Sequence, residues 1–157
     1  MSQGAITVGV ISDTHGLLRP EATDALKGSD LIVHAGDVGG TDILEQLRTI
    51  APTFAVRGNV DTGAWAKALP ITEVVDVGQL RLYVLHDLAT LDLDPRAAGF
   101  AAVISGHSHR ASAEVRHGVL YLNPGSVGPR RFTLPIAMAR LRITGDRLSH
   151  EMIALKV

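Results

Sequence analysis

Asp13 and His15 stand two residues apart, as do His107 and His109, and between these pairs the chain carries Asp37, Asn59 and His86. Carboxylate, imidazole and amide side chains are ligands for divalent metal ions. On extended backbone, residues two apart project to the same side, so Asp13 and His15 can touch one ion. His107 and His109 have the same spacing, and their imidazoles can share an ion or serve two. Gly36 precedes Asp37 and Gly58 precedes Asn59, and each glycine lets the backbone turn tightly enough to project the next side chain. Taken singly these signals are weak, because an Asp after a strand is most often a cap or turn residue.

Their positions give them weight. Each donor or pair closes a short apolar run rich in β-branched residues: 6–12, 31–36, 53–58, 82–85 and 102–106. Such runs read as buried strands of an α/β sheet. Ligands of these sheets collect beyond the carboxyl ends of the strands. The seven donors are therefore expected to meet at one place, in the layout of a two-metal hydrolytic centre.

The elements between the runs follow from their punctuation. Pro20 can open a helix that Gly28 stops. A second helix is expected over 42–50, with Asp42 and Glu45 as a capping box, and a short third over 64–68, closed by Pro70. This β-α-β-α-β order predicts parallel strands with right-handed crossovers. The second half is richer in strand. Hairpins are expected to pair 72–77 with 81–85, 114–116 with 119–122 and 136–143 with 147–155, and only 95–98 invites a further short helix. The expected fold class is α/β, a two-sheet β-sandwich flanked by helices, in one domain over residues 1–157. That length allows burial of roughly two-thirds of the unfolded surface.

Composition narrows the partners. With 15 basic and 16 acidic residues the net charge is −1, which argues against long nucleic acid as an obligate partner. There is no cysteine, so disulfides and thiolate chemistry are excluded and any metal must sit on His, Asp, Glu or Asn. Met1-Ser2-Gln3-Gly4 shows neither a basic nor an apolar leader region, and no apolar run approaches the ~20 residues of a membrane span. A cytoplasmic protein without a membrane partner is expected. A homo-oligomer remains open.

Read together, Asp13-Thr14-His15, Gly36-Asp37, Gly58-Asn59-Val60-Asp61, His86 and Gly106-His107-Ser108-His109 form the order D-x-H, GD, GN-x-D, H, GH-x-H. In this the chain resembles the calcineurin-like metallophosphoesterases over nearly its whole length. The short length and the segment Asn123-Pro124-Gly125-Ser126-Val127-Gly128-Pro129-Arg130 resemble the family's small single-domain phosphodiesterase branch. The resemblance implies that Asp13, His15 and His109 hold one metal and that Asn59, His86 and His107 hold the second. Asp37 bridges the two, and Asp37, Asn59 and His86 are the residues expected to act in catalysis. It implies a metal-dependent phosphodiesterase acting on a small phosphoester, with a hydroxide between the ions attacking phosphorus in line. Mixed imidazole and carboxylate ligands suit Mn²⁺, Fe, Zn²⁺, Ni²⁺ or Co²⁺, and the resemblance favours Mn²⁺. Two divalent ions carry about +4, of which the two aspartates and a hydroxide cancel about three, leaving a centre that suits an anion.

One position departs from the pattern. Larger members of the family carry a histidine where this chain has Val60, which can donate no proton to a leaving alcohol. Asp61 is then expected to cap the following helix. His34 is expected to orient a ligand or to be a buried structural histidine, while His117 and His150 read as bland. Arg130 and Arg131 are candidates for a phosphate contact or for packing. Around Ser126, Pro124 stands where the first glycine of a nucleophile elbow should be, and the stretch that follows is not helical. The alternatives are a catalytically weak protein-binding scaffold of the same fold, as one eukaryotic retromer subunit is, and a related nuclease.

Overall fold

The computed structural model describes residues 4–157, so Met1-Ser2-Gln3, read above for a leader, lies outside the described residues. Two five-stranded sheets form the frame. The first half supplies β1 (Ile6–Ile11), α1 (Pro20–Leu26), β2 (Leu31–His34), α2 (Thr41–Arg48), β3 (Thr53–Ala55) and α3 (Ala64–Lys67). Then come β4 (Thr72–Val77), β5 (Leu80–Leu85), a 3₁₀ turn (Leu88–Thr90), β6 (Ala102–Ile104), β7 (Ser112–Arg116), β8 (Val119–Asn123), β9 (Ala137–Thr144) and β10 (Arg147–Ala154).

The sheets run β10-β9-β1-β2-β3 and β4-β5-β6-β8-β7. The pairs β1–β2 and β2–β3 are parallel, as the alternating first half predicts. The three hairpins form as β4–β5, β7–β8 and β9–β10. Inside the second sheet β5, β6 and β8 are also parallel, so the carboxyl ends of β1, β2, β3, β5, β6 and β8 share one rim.

Between the sheets lies an aliphatic core that includes Val8, Val10, Val33, Leu82, Val84, Ile104 and Leu141. A second cluster, with Ile11, Leu26, Ile32, Ile43, Leu47 and Met138, seats α1 and α2 on the outer face of the first sheet. On the second sheet the cover is thinner: Tyr83, Phe100 and Val103 pack under Leu88, Leu91 and Leu93. No helix of the described residues is long and apolar enough to cross a membrane.

Two local expectations are corrected. The Asp42–Glu45 capping box does not form, because α2 starts one residue earlier at Thr41 and extended Gly40 takes the cap without a side-chain bond. The expected helix at 95–98 is a turn, in which Ala98 N–H bonds Asp94 O and Phe100 N–H bonds Pro95 O. The helical element of that loop is instead the 3₁₀ turn at Leu88–Thr90, which Asp87 caps through Ala89 N–H at 3.0 Å.

Gly128 packs the segment between β8 and β9 against the loop that follows β1. A Cβ there would overlap the carbonyl groups of Asp13 and Thr14, backbone that cannot swing aside as a flexible side chain can. Gly128→Ala is expected to cost about 1–3 kcal/mol in thermal or denaturant unfolding. Gly4→Ala, where nothing lies within 4 Å, should leave the transition unchanged.

Candidate metal centre

Five of the seven donors stand on left-handed backbone: Asp13 (φ 58°), His15 (47°), Asp37 (57°), His107 (72°) and His109 (62°). Among the described residues only His117 and Phe132 join them outside glycine. This conformation costs an L-residue roughly 1–2 kcal/mol and is tolerated best by Asp, Asn and His. Such strain persists where the surroundings over-determine it, and here glycines supply the room. A Cβ on Gly58 would overlap Asp37, and one on Gly39 would overlap the backbone of Gly16. One on Gly36 (φ 100°) would lie 2.6 Å from His86 Nδ1.

The strand ends bring all seven donors together. Asp13 Oδ1 lies 3.3 Å from His109 Nε2 and 3.5 Å from His15 Nε2. Asp37 Oδ2 lies 3.1 Å from His86 Nε2 and 3.6 Å from His15 Nε2. Asn59 Oδ1 is 3.1 Å from His86 Nε2 and 3.3 Å from His107 Nδ1. Two groups can each hold a metal ion, Asp13-His15-His109 and Asp37-His86-His107, with Asn59 turned into the second. Asp37 Oδ2 faces both.

The donors fit divalent ions on grounds beyond proximity. Asp13 is fully buried, and its Oδ2 accepts hydrogen bonds from Ser12 Oγ (2.7 Å) and His107 N–H (3.2 Å). Its Oδ1 has no hydrogen-bond partner, a costly state for a buried carboxylate oxygen that a cation would relieve. His86 Nδ1 donates to Ala35 O at 2.7 Å, which leaves the Nε2 lone pair for the centre, the usual orientation device of a ligating histidine.

Electrostatics couple these groups. Burial alone would raise the Asp37 carboxyl, but hydrogen bonds from His86 and Val60 N–H, with the charges of His86 and His15, outweigh it and hold it below the ordinary value. Burial opposes charge on His86 as well, yet the Asp37 and Ala35 bonds and the charges of Asp37 and Asp13 raise its pKa. A proton held on His86 competes with a metal for the same nitrogen. Burial lowers His109; Asp13 opposes this, and the charges of Arg131 and His15 add to it.

His34 is the structural histidine of the two readings offered above, and it also aligns the ligand loops. Gly36 N–H donates to its Nδ1 at 3.1 Å, so neutral His34 carries its proton on Nε2 and donates to Thr14 Oγ1 at 2.9 Å. Thr14 Oγ1 passes the chain on to Val38 O at 2.7 Å. The relay joins the Asp13–His15 loop to the Asp37 loop. Burial first, then the charges of His86 and His15, push the His34 pKa down to about 3 against the opposing pull of Asp37.

Asp61 is not a helix cap, which corrects the expectation above. Its carboxylate accepts from Gly58 (2.9 Å), Val38 (3.1 Å) and Gly39 (3.0 Å) N–H, pinning the Asn59 loop to the Asp37 loop, while α3 starts at Ala64 with Gly63 as its cap and no side-chain cap bond. Arg130 turns to Leu134 O at 3.4 Å. Ser126 is buried, donating to Asp13 O at 3.0 Å and accepting from Gly128 N–H at 3.3 Å. His117 and His150 are exposed and away from the cluster. Sequence reasoning passes over Asn123, whose Nδ2 bonds Gly106 O (2.9 Å) and Ser108 Oγ (3.1 Å) and so braces the His107–His109 loop. Its signal is its place at the end of β8, on the rim that holds the other donors.

Comparison with known proteins agrees with this architecture. The model of the calcineurin-like phosphoesterase superfamily domain matches residues 6–146. A protein named "Probable metallophosphoesterase" from Methanothermobacter thermautotrophicus is 36% identical over 93% of this chain and 91% of its own length. A counterpart from Methanocaldococcus jannaschii is 33% identical over 98% of this chain and 83% of its own. Among solved structures, the fold is shared with Vacuolar Protein Sorting 29 from Cryptosporidium parvum (17% identity, TM-score 0.77, covering 96% of this chain and 98% of that one). It is shared too with Yfce, a phosphoesterase from E. coli (22%, 0.69, covering 96% and 100%).

Two measurements follow from the site. Adding Mn²⁺ to chelator-treated protein is expected to raise the melting temperature, by about 2.7 kcal/mol of stability at a hundredfold excess over Kd. Asp13→Asn and Asp37→Asn should lose most of that shift; an unchanged melt in the native protein would count against a metal centre. Protonation of His34 supplies the second. With its folded pKa near 3 and its ordinary value at 6.5, its contribution is complete above the ordinary value. It is lost as the pH falls from about 6.5 toward 3, because the unfolded chain binds the proton first. His34→Gln is expected to melt lower at neutral pH and to show a shallower decline through that window.

Proposed function

The chain belongs to the calcineurin-like phosphoesterase superfamily, and we propose that within it the protein is a phosphodiesterase with a dinuclear metal centre. In this reading Asp13, His15 and His109 hold one ion, Asn59, His86 and His107 the other, and Asp37 both. The observation that carries it is Asp37 Oδ2, within 3.6 Å of His15 on one side and 3.1 Å of His86 on the other. Two divalent ions bound there, Mn²⁺ by preference, would clamp phosphoryl oxygens and supply a nucleophilic water at neutral pH.

The chain's own groups do the rest. Val60 N–H, at 3.0 Å, holds Asp37 Oδ1, so that Oδ2 stays turned to the histidines. The Ala35 carbonyl keeps the His86 proton on Nδ1, away from the reacting side. Val60 is 47% exposed and has no titratable proton to give the leaving oxygen. A positioned acid typically contributes ~10²–10⁴-fold, and its lack weighs least on leaving groups that depart as stable anions.

Hydrolysis of bis(p-nitrophenyl) phosphate by chelated protein, with and without added Mn²⁺, Ni²⁺, Zn²⁺ or Mg²⁺, tests the proposal. Metal-dependent release that Asp37→Asn abolishes is expected. No release with any metal, in a sample that binds metal by calorimetry, would move the reading to a scaffold of this fold. Aryl phosphodiesters should turn over faster than alkyl phosphomonoesters, and equal rates would remove the role given to Val60.

A further inference from the structure

Arg57 is a half-buried cation without a counter-ion. Among the described residues only Arg81, Arg116 and Arg140 of the arginines pair with a carboxylate; Arg57 is set apart from the other unpaired arginines by its partial burial together with an Nε that has no acceptor. Its Nη2 donates to Leu69 O at 3.3 Å, and its Nε is buried with no partner. Leaving a buried guanidinium N–H without an acceptor is unfavourable. The position invites a ligand.

That position is beside the centre. Arg57 lines a pocket of about 270 Å³ whose other walls include Asn59, His86 and His107, three of the second ion's proposed ligands. Ile71, 63% exposed, also lines it, an apolar surface for the organic body of a substrate. The volume is near the lower limit of ligand pockets, about 300 Å³, which leaves room for one sugar- or aryl-sized group. Asp87, the other charge on the lining, is engaged on its own wall, with Oδ1 accepting from Ala89 N–H at 3.0 Å and Oδ2 4.0 Å from His107 Nε2.

We propose that this pocket is a substrate subsite in which Arg57 binds a second oxyanion, so that the preferred substrates are phosphoesters carrying a carboxylate or a further phosphate. The inference rests on the phosphoesterase reading and names a substrate class for it. The Nη atoms of Arg57 match planar or tetrahedral oxyanions by paired N–H donors.

The test uses calorimetric binding of two phosphonates to Mn²⁺-loaded protein, 3-phosphonobenzoate and its neutral isostere 3-phosphonobenzamide, with 1,3-phenylenediphosphonate to separate phosphate from carboxylate. The native protein should bind the charged analogues about tenfold or more tighter than the amide. In Arg57→Gln that preference should vanish while Mn²⁺ affinity and amide binding hold, and Arg57→Lys should keep part of it. Equal affinity of the native protein for benzoate and benzamide, or an equal loss of both in Arg57→Gln, would overturn the subsite alone. Should Arg57→Gln fail to fold, the native comparison and Arg57→Lys still decide. If no phosphonate binds to metal-loaded protein, the phosphoesterase reading falls first and takes this one with it.

Discussion

Two carboxylates withdrawn from water, Asp13 and Asp37, set the terms for this structure. Each must be compensated in place, and the compensation comes from both sheets. Asp13 draws on Ser12 and His107, and Asp37 on Val60 and His86. The buried polar side chains of the described residues, from Ser12 to Ser126, all lie along the rim where the parallel strands end. Below that rim the interior is aliphatic. The sandwich acts as an apolar block that fixes the spacing of a polar edge.

Holding that edge requires backbone that an L-residue resists. Five donors in the left-handed region represent several kcal/mol of local strain on the usual scale, supported by contacts between loops. The His34–Thr14–Val38 relay, the three amides gathered by Asp61 and the brace of Asn123 each tie one strand-end loop to a neighbour. The order of energetic dependence is therefore core, then loop ties, then donors. A substitution at His34 or Asp61 acts on the centre without touching a ligand.

How much of this can be read from residues alone divides along the same line. The donors are legible because each closes an apolar run, and the sandwich because helical crossovers give way to hairpins. The ties are not. Asp61 reads as a cap because its amide partners Val38 and Gly39 lie 23 and 22 residues away, a separation at which local pattern carries no information. The capping box at Asp42 fails for a smaller reason: extended Gly40 takes the cap before Asp42 is reached. The left-handed angles leave only a faint mark on the identities of Asp13 and His107, residue types that tolerate them but seldom adopt them. Gly16, Gly36 and Gly106, beside His15, Asp37 and His107, add a further hint.

The pairing of β1 with β9 has a consequence for the life of the chain. Ile6 lies against Ile143, and Val10 against Ala139, so the strand that presents Asp13 gains its second neighbour only when the last third of the protein exists. His109, the final donor, is made well before Ala137 opens β9. Pairings of such sequence separation are slow to form. A nascent chain thus carries all seven donors before the strand that presents Asp13 has both its neighbours, and the first sheet closes around them only once β9 and β10 exist.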